Sequence, residues 1–294
     1  MSDKPPITFL STGTVRIRQQ MRSQPVGSHM LVRRFRSLLD WTWIEPLPIG
    51  VFLIDHPDGP ILFDTGQSPR CNEPGYFSRW NFVANSLARY TVAENESVLS
   101  LLRTHGVQSE SLQMIVLSHL HSDHAGGLQE LHAAAPNVPI YISPAQWEVF
   151  GKNPLYAILE GCLPEHWPQN FAPKILESKD HAVGPWTHCY PLTADAKIVA
   201  VDTPGHVPGH ISLVVHEDGE NDANVTYFLT GDAVYGLDLL DKEEPDGINS
   251  DPEAALRSLK LIKEFATQSD VVVAPSHDVN TPQILAERRA YKPN

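Results

Sequence analysis

Short apolar runs separated by polar turns divide the chain into two halves of similar design. In the first half, the runs predict strands at residues 51–55, 60–63, 114–117 and 139–142. Residues 94–105 carry apolar positions at helical spacing and stop at Gly106, which predicts a helix. Ser143 and Pro144 then have the residue types that begin a helix, because proline at its first position loses no hydrogen bond.

The second half repeats this order of strands followed by helices. Its apolar runs predict strands at residues 197–202, 211–216, 225–229 and 271–274. Asp251 and Pro252 open a long helix, and Thr281 and Pro282 open a closing one. Strands followed by helices, twice over, predict an α/β chain in a four-layer α+β arrangement: an αββα sandwich of two packed, mixed β-sheets flanked by helices.

We expect residues 1–294 to form a single domain with an N-terminal extension at about residues 1–45. Segments 67–93 and 153–186 are rich in proline, aromatic and polar residues, and are typical of long functional loops. Seven large aromatic residues in or near these segments and the N-terminal extension are each expected to pack into the core, with a substrate pocket as the alternative. These residues are Trp41, Trp43, Trp80, Phe82, Trp147, Phe150 and Trp167.

Composition is ordinary for a globular protein that can bury a core, with 41% apolar and 19% charged residues. No run approaches the roughly 18 apolar residues of a membrane-spanning helix, and the first residues lack the pattern of a secretory signal. Three scattered cysteines are too few for a disulfide framework. These features together predict a cytoplasmic protein without a membrane partner.

Charge argues against a nucleic-acid partner, because the formal net charge is −13 and phosphate backbones require clustered Lys and Arg. The one basic cluster, Arg33-Arg34-Phe35-Arg36, is expected to form a solvated face. Histidine is the unusual component of the chain. There are 14 histidines, and several of them follow predicted strands.

The densest group of metal-ligand residues occurs at residues 118–127, which read Ser-His-Leu-His-Ser-Asp-His-Ala-Gly-Gly. His119 and His121 are two residues apart at a strand end, so both imidazoles can face one ion. Asp123 and His124 lie in the turn that follows and can face a second ion. A His-rich set supported by carboxylates is typical of Zn²⁺.

Three further candidate ligands follow predicted strands in the second half: His206, Asp232 and His277. An isolated histidine is usually a surface or hydrogen-bonded residue, but seven candidates at successive strand ends favour a metal centre. His210 begins a strand and is expected to support the centre without binding metal. The other histidines are interpreted as structural, among them His56, His105, His132, His188 and His216.

The HxHxDH run and the later Thr-Pro-Gly-His, Gly-Asp and Ser-His elements resemble the metallo-β-lactamase superfamily over residues 49–277. The resemblance implies two ions, most simply zinc, with manganese, cobalt or iron as alternatives. One ion would be bound by His119, His121 and His206, and the other by Asp123, His124 and His277, with Asp232 bridging both. Asp64 would support the ligands, or else only form a turn.

Within the superfamily, residues 59–66, 118–127 and 203–210 are most similar to N-acyl homoserine lactonases. That similarity implies opening of a small cyclic ester by a metal-bridging hydroxide. Tyr235, three residues after Asp232, would then donate to the oxyanion or the ring oxygen, with a half-buried packing role as the alternative. Asp123 would assist proton transfer, so the candidate catalytic residues are Asp123, Tyr235 and Asp232.

Other reactions remain open for the same site. A hydrolase of an aryl-fused lactone, lactam or cyclic carbamate is the principal alternative. A glyoxalase II-like thioesterase is disfavoured because only 17 residues follow His277, and a mononuclear iron sulfur dioxygenase because both ligand sets are present. The expected partner is a small cyclic substrate, and a homodimer is left open.

Overall fold

The computed structural model describes residues 6–81, 83–218 and 224–293, with the backbone alone at residue 83. The chain divides into two compact units. The seven-stranded unit consists of Ile7–Gln19 and Leu38–Ile175. The five-stranded unit consists of Pro6 and the described parts of Gln20–Ser37 and Leu176–Asn294. The expectation of one domain stays a prediction.

The seven-stranded unit is built on a mixed β-sheet. Its strands β1 to β7 are Ile7–Ile17, Leu47–Ile54, Ile61–Phe63, Ala88–Thr91, Met114–Val116, Ile140–Ile142 and Lys174–Ile175. Their order across the sheet is β4-β1-β2-β3-β5-β6-β7. Strands β3, β5, β6 and β7 run parallel, while the β1 pairings and the β2–β3 pairing are antiparallel. Strands β3 and β5 consist entirely of buried apolar residues, which is typical of parallel strands.

The five-stranded unit holds the second mixed sheet. Its strands β8 to β12 are Tyr190–Pro191, Ile198–Asp202, Ile211–Glu217, Val225–Leu229 and Val271–Ala274. Their order is β12-β11-β10-β9-β8, with one parallel pair, β11–β12. Phe228 and Val273 from this sheet pack with Leu259 and Ile262 in one apolar cluster. Burying each such side chain stabilises the fold by about 1.5–3 kcal/mol.

Helices connect and flank the strands. Helices α1 to α10 are Gln19–Arg22, Met30–Leu39, Val98–Thr104, Ser122–Ala125, Leu128–Ala134, Pro144–Gln146, Pro154–Leu159, Leu237–Lys242, Pro252–Gln268 and Thr281–Ala286. Helix α9 begins after Asp251, whose side chain accepts from the backbone of residues 253 and 254, as its sequence predicts. Helices α9 and α10 contact β12, and α3 contacts β1. Among the described residues, no helix is long and apolar enough to span a membrane.

Strands β11 and β12 have the bounds that the apolar runs predict, but β1, β4, β7 and β8 were not predicted. Strand β1 lies in the segment expected to be an extension, yet it pairs with both β2 and β4. Its register shifts between Ser11 and Thr14, around Gly13 with a φ of 89°. This irregularity interrupts the apolar alternation by which a strand is recognised in a sequence.

The expectation that residues 33–36 form a solvated face is wrong for Arg33. Its side chain is fully buried at 0% exposure, whereas Phe35 on the same helix is 58% exposed. The Arg33 guanidinium donates four hydrogen bonds to the backbone oxygens of Gln24, Pro25, Pro245 and Asp246. These bonds satisfy both Nη atoms of the buried guanidinium, while its Nε has no partner among the described residues.

The expectation that each large aromatic residue packs in the core holds for two of them and fails for two. Phe150 and Trp167 are buried, but Trp41 is 81% exposed and Trp80 is 62% exposed. Phe82 lies outside the described residues. Trp147 contacts Trp167, with ring centroids 6.3 Å apart, in a small aromatic group of the second long segment. Exposed indoles are unusual enough to indicate a contact surface.

Candidate metal centre

Asp64 directly follows β3, and its side chain contacts two residues of the 118–127 motif, Ser118 and His124. Its backbone N–H donates to Val116 and so extends the pairing of β3 with β5, while its φ of 65° turns the chain away. Its carboxylate is fully buried and accepts from both the backbone N–H and the hydroxyl of Ser118, at 2.7 and 2.8 Å. Asp64 therefore forms the turn and supports neighbouring residues at the same time.

His124 also depends on Asp64, because its Nδ1 lies 2.8 Å from Oδ2 of that carboxylate. An ionised carboxylate can only accept, so His124 carries its proton on Nδ1 and presents Nε2 as a ligand atom. Burial raises the pKa of Asp64, and the charge and hydrogen bond of His124 oppose that rise. The carboxylate thus fixes both the ring orientation and the tautomer of His124.

His119 is held in the same tautomer through Ser118. The Ser118 hydroxyl donates to Asp64 and lies 2.9 Å from Nδ1 of His119, so its oxygen accepts a hydrogen bond from the Nδ1–H of His119. Nε2 of His119 then faces Nδ1 of His121 at 3.0 Å. Two nitrogens that bind one tetrahedral zinc at about 2.0–2.1 Å lie about 3.3 Å apart. The observed pair is close to that spacing.

Helix α4 begins immediately after His121 and carries Asp123 and His124 in its single turn. The backbone oxygen of His124 accepts from both the N–H and the hydroxyl of Thr65, at 2.8 and 2.9 Å. Gly127, which follows α4, lies so close to the backbone of Thr65 that a Cβ at this position would be 2.4 Å from the Thr65 oxygen. Glycine is therefore required for α4 to pack directly beside the residue 64–66 turn.

The second group of ligands belongs to the five-stranded unit and is centred on Asp232. The residue lies in a 3-10 turn, Gly231–Ala233, that follows β11, and it is 3% exposed. Its Oδ2 lies 3.5 Å from Nε2 of His206, and its Oδ1 lies 3.2 Å from Nε2 of His277. One carboxylate therefore faces two histidines, one through each oxygen. This is the arrangement that a carboxylate bridging two ions requires.

His210 does not face this carboxylate but holds the backbone behind it. Its Nε2 accepts from the N–H of Asp232 at 3.0 Å, so its proton is on Nδ1, which donates to the Thr203 hydroxyl at 2.9 Å. Thr203 in turn donates to Ser212, and Ser212 donates to the Thr230 oxygen. Each donor in this buried chain has an acceptor, so the turn that carries Asp232 is rigid.

His206 is oriented by Asp246, a residue that no motif or spacing in the sequence indicates. Nδ1 of His206 lies 3.1 Å from Oδ2 of Asp246, and both side chains are buried. Oδ1 of Asp246 accepts from the N–H of Ile248 at 2.9 Å. The Asp246 backbone oxygen also accepts from Arg33 at 2.6 Å, so the buried arginine of α2 fixes the loop that orients His206.

Tyr235 packs against the histidines on either side of Asp232. Its ring centroid is 5.3 Å from that of His277 and 5.9 Å from that of His206. The residue is 7% exposed. The Tyr235 ring therefore packs beside two candidate ligands in the same unit.

The candidate ligands fall into two sets, one in each unit. His119, His121, Asp123 and His124 belong to the seven-stranded unit, and His206, Asp232 and His277 belong to the five-stranded unit. All but His121 are buried. Imidazole nitrogens and carboxylate oxygens are the donor set that zinc prefers, so the residues of each unit fit a metal-binding role.

Comparison with protein-family models matches residues 44–277 to the Metallo-beta-lactamase superfamily. An N-acyl homoserine lactonase from a Bacillus species is 32% identical over 234 residues, which are 79% of this chain and 82% of the relative. Another from Rhizobium radiobacter is 23% identical, over 79% of this chain and 82% of that relative.

A solved structure of an N-acyl homoserine lactone hydrolase, with its product at the catalytic metal centre, matches with a TM-score of 0.71. It is 26% identical and covers 96% of both chains. A dizinc quorum-quenching lactonase matches with a TM-score of 0.58 at 16% identity, over 92% of this chain and 86% of that one, and so supports the fold alone. These matches confirm the predicted fold of two mixed sheets with flanking helices, and the enzyme class, a lactonase-like metal-dependent hydrolase. The chain belongs to the metallo-β-lactamase superfamily.

Proposed function

We propose that this hydrolase opens a small cyclic ester, of the acyl-homoserine-lactone type, at a centre of two metal ions. The observation that carries the proposal is the placement of Asp232, whose two oxygens face two different histidines. A carboxylate with that placement can hold two ions side by side. The likeness to several N-acyl homoserine lactonases supports the choice of substrate class.

The proposed ligands are the residues that the sequence motifs single out. We assign His119, His121 and His206 to one ion and Asp123, His124 and His277 to the other. Asp232 would lie between the two ions, where its negative charge would offset their mutual repulsion. Zinc is the ion that this donor set favours. When bound, the two ions supply hydroxide at neutral pH and polarise the carbonyl of the substrate.

The supporting residues set the chemistry of the ligands before any substrate arrives. The Asp64–His124 and Asp246–His206 contacts hold each histidine in one tautomer and increase the basicity of its Nε2, the atom that would bind metal. His210 holds the Asp232 backbone in place. A site whose ligands are fixed in this way loses little free energy to reorganisation during the reaction.

Tyr235 is assigned as the hydrogen-bond donor to the negative charge that develops on the substrate. Its ring lies against both His206 and His277, so its hydroxyl is available to an ester held at the centre. Such a donor acts mainly in the transition state, because the carbonyl oxygen gains its charge there. Asp123, at 9% exposure, is assigned to assist proton transfer to the leaving alkoxide.

A panel of ring-opening reactions tests the substrate class. Metal-loaded protein would be assayed with N-hexanoyl homoserine lactone, an aryl-fused lactone, an aryl-fused lactam, a cyclic carbamate and a linear thioester. We expect the acyl homoserine lactone to be opened with the highest kcat/KM. Turnover of the lactam or carbamate alone would replace the lactone with the aryl-fused alternative, and turnover of the thioester alone would contradict ring opening.

A further inference from the structure

A groove in the seven-stranded unit lies next to β4, the edge strand of its sheet. Its volume is about 920 Å³. The residues that line it include two arginines, two tryptophans and several apolar side chains, namely Arg18, Leu38, Leu39, Trp41, Trp43 and Arg89. This volume falls within the range of about 300–1,000 Å³ that small-molecule sites occupy.

Arg18 is one of the residues that line this groove. It lies opposite Trp43 in an antiparallel bridge, so the two side chains are cross-strand neighbours. The Arg18 guanidinium carbon is 3.9 Å from the centroid of the Trp43 ring and 5.3 Å from that of Trp41. Only 8% of the residue is exposed. Stacking on two indoles orients the cation, but it provides no hydrogen-bond acceptor.

The hydrogen-bond donors of Arg18 are incompletely used. Neither Nε nor Nη1 has a hydrogen-bond partner among the described residues, although both atoms are buried. In the buried Arg33 both Nη atoms pair with carbonyl oxygens and only Nε has no partner among the described residues, so the open Nη1 is what distinguishes Arg18. The open donors therefore indicate a place for an acceptor supplied from outside the chain.

The charge of the groove favours an anion as that acceptor. The guanidinium carbon of Arg89 is 4.7 Å from the same Trp43 ring, so two cations share one indole. None of the described residues that line the groove is an aspartate or a glutamate. This local excess of positive charge contrasts with the formal net charge of −13 for the whole chain. A bound anion would offset the repulsion between the two guanidinium groups.

The rest of the lining favours a ligand with a flat or apolar body. Trp41 is 81% exposed and Leu39 is 57% exposed, and both line the groove. Inorganic anions would use the arginines but leave this apolar surface in water. We propose that this groove is a binding site for an organic carboxylate with an aromatic or aliphatic body, whose carboxylate pairs with Arg18 and whose body covers Trp41 and Leu39.

Calorimetric titration of the protein as purified tests this site independently of hydrolysis. The probes are 1-naphthoate, its neutral analogue 1-naphthamide, and sulfate. We expect 1-naphthoate to bind at least about tenfold more tightly than the amide, because a charge-assisted pair with arginine is lost in the amide. Sulfate should bind more weakly than 1-naphthoate. Equal affinities for the acid and the amide would overturn the proposal.

A carboxylate can also bind a metal ion, so substitutions in the groove are needed to show that 1-naphthoate binds there. Arg18→Met should lower the affinity for 1-naphthoate at least about tenfold and leave that for the amide unchanged. Trp41→Ala should weaken both, and Arg103→Met, on the exposed face of α3, should change neither. If Arg18→Met does not fold, as judged by thermal melting, the exposed Arg89→Met provides the same comparison. Unchanged binding of the acid in both arginine variants would contradict the site.

Discussion

Nδ1 of His206 lies 3.1 Å from Oδ2 of Asp246. The contact links a metal-ligand candidate to a loop that is distant in sequence and is itself held by Arg33 of α2. The orientation of His206 thus depends on a helix that contributes no ligand of its own. Contacts of this kind, which lie behind the ligands, determine how tightly a metal is bound.

Replacing Asp246 by asparagine tests this contact. Asp246→Asn retains the size of the side chain but removes the charge that supports the His206 ring. We expect metal affinity to fall about 10–100-fold, the usual effect of losing such a partner. Competition with a chromophoric chelator measures it. Asp238→Asn is the control, since Asp238 is an exposed partner of Arg22, and an equal loss of affinity in the two variants would contradict the proposed role.

Arg33 makes a separate prediction about stability. Arg33→Met removes four hydrogen bonds to backbone oxygens, and although Pro245 and Asp246 keep a second donor each, the oxygens of Gln24 and Pro25 lose the arginine. We expect the free energy of unfolding to fall by about 3 kcal/mol or more. Denaturant unfolding measures the change, with Arg36→Met on the exposed face of the same helix as the control. Equal stability of the two variants would mean that Arg33 does not fix the loop.

Asp232 and His210 are predicted to differ sharply, although both lie at the same turn. Asp232→Ala removes the carboxylate assigned to both ions, so metal and nearly all turnover should be lost together. His210→Ala removes only the acceptor for the Asp232 backbone N–H and should lose much less metal. Elemental analysis and turnover of both variants measure this. Similar metal loss in both would show that the ligand assignment is wrong.

Tyr235→Phe separates transition-state stabilisation from packing. The ring that contacts His206 and His277 is retained, so metal content and melting temperature should barely change. Loss of a donor to the oxyanion should lower kcat about 10–100-fold and leave KM nearly unchanged. Steady-state kinetics on the best lactone measures both constants. A wild-type kcat would leave Tyr235 as a packing residue only.

Much of the candidate site was predictable because its residues follow regular strands. The apolar runs locate β5, β9, β11 and β12, and ligand-type residues come directly after each of them. A histidine motif at a strand end is visible in sequence because its spacing follows the backbone geometry. The family and the fold followed from the same motifs, and the comparisons confirm both.

The residues that support the ligands could not be predicted in this way. Asp246 and Arg33 are separated by more than 200 positions and meet only through the tertiary fold. Strand β1 was missed because its bulge and its buried Thr12 break the alternation of apolar residues. The basic cluster at residues 33–36 was predicted to be solvent-exposed because the sequence does not show which backbone oxygens accept hydrogen bonds from Arg33 in the folded chain. Non-local hydrogen bonds leave no periodic pattern in a sequence.

The metal content of the protein tests the central claim most directly. Metal-free protein would be titrated with Zn²⁺ while bound metal is measured by elemental analysis and lactone opening is followed in the same samples. The seven assigned ligands, Asp232 among them, predict about two ions per chain at saturation, with activity abolished by chelation and restored by zinc. A stoichiometry that stays at one ion per chain, or lactone opening that persists in metal-free protein, would contradict the dinuclear hydrolase.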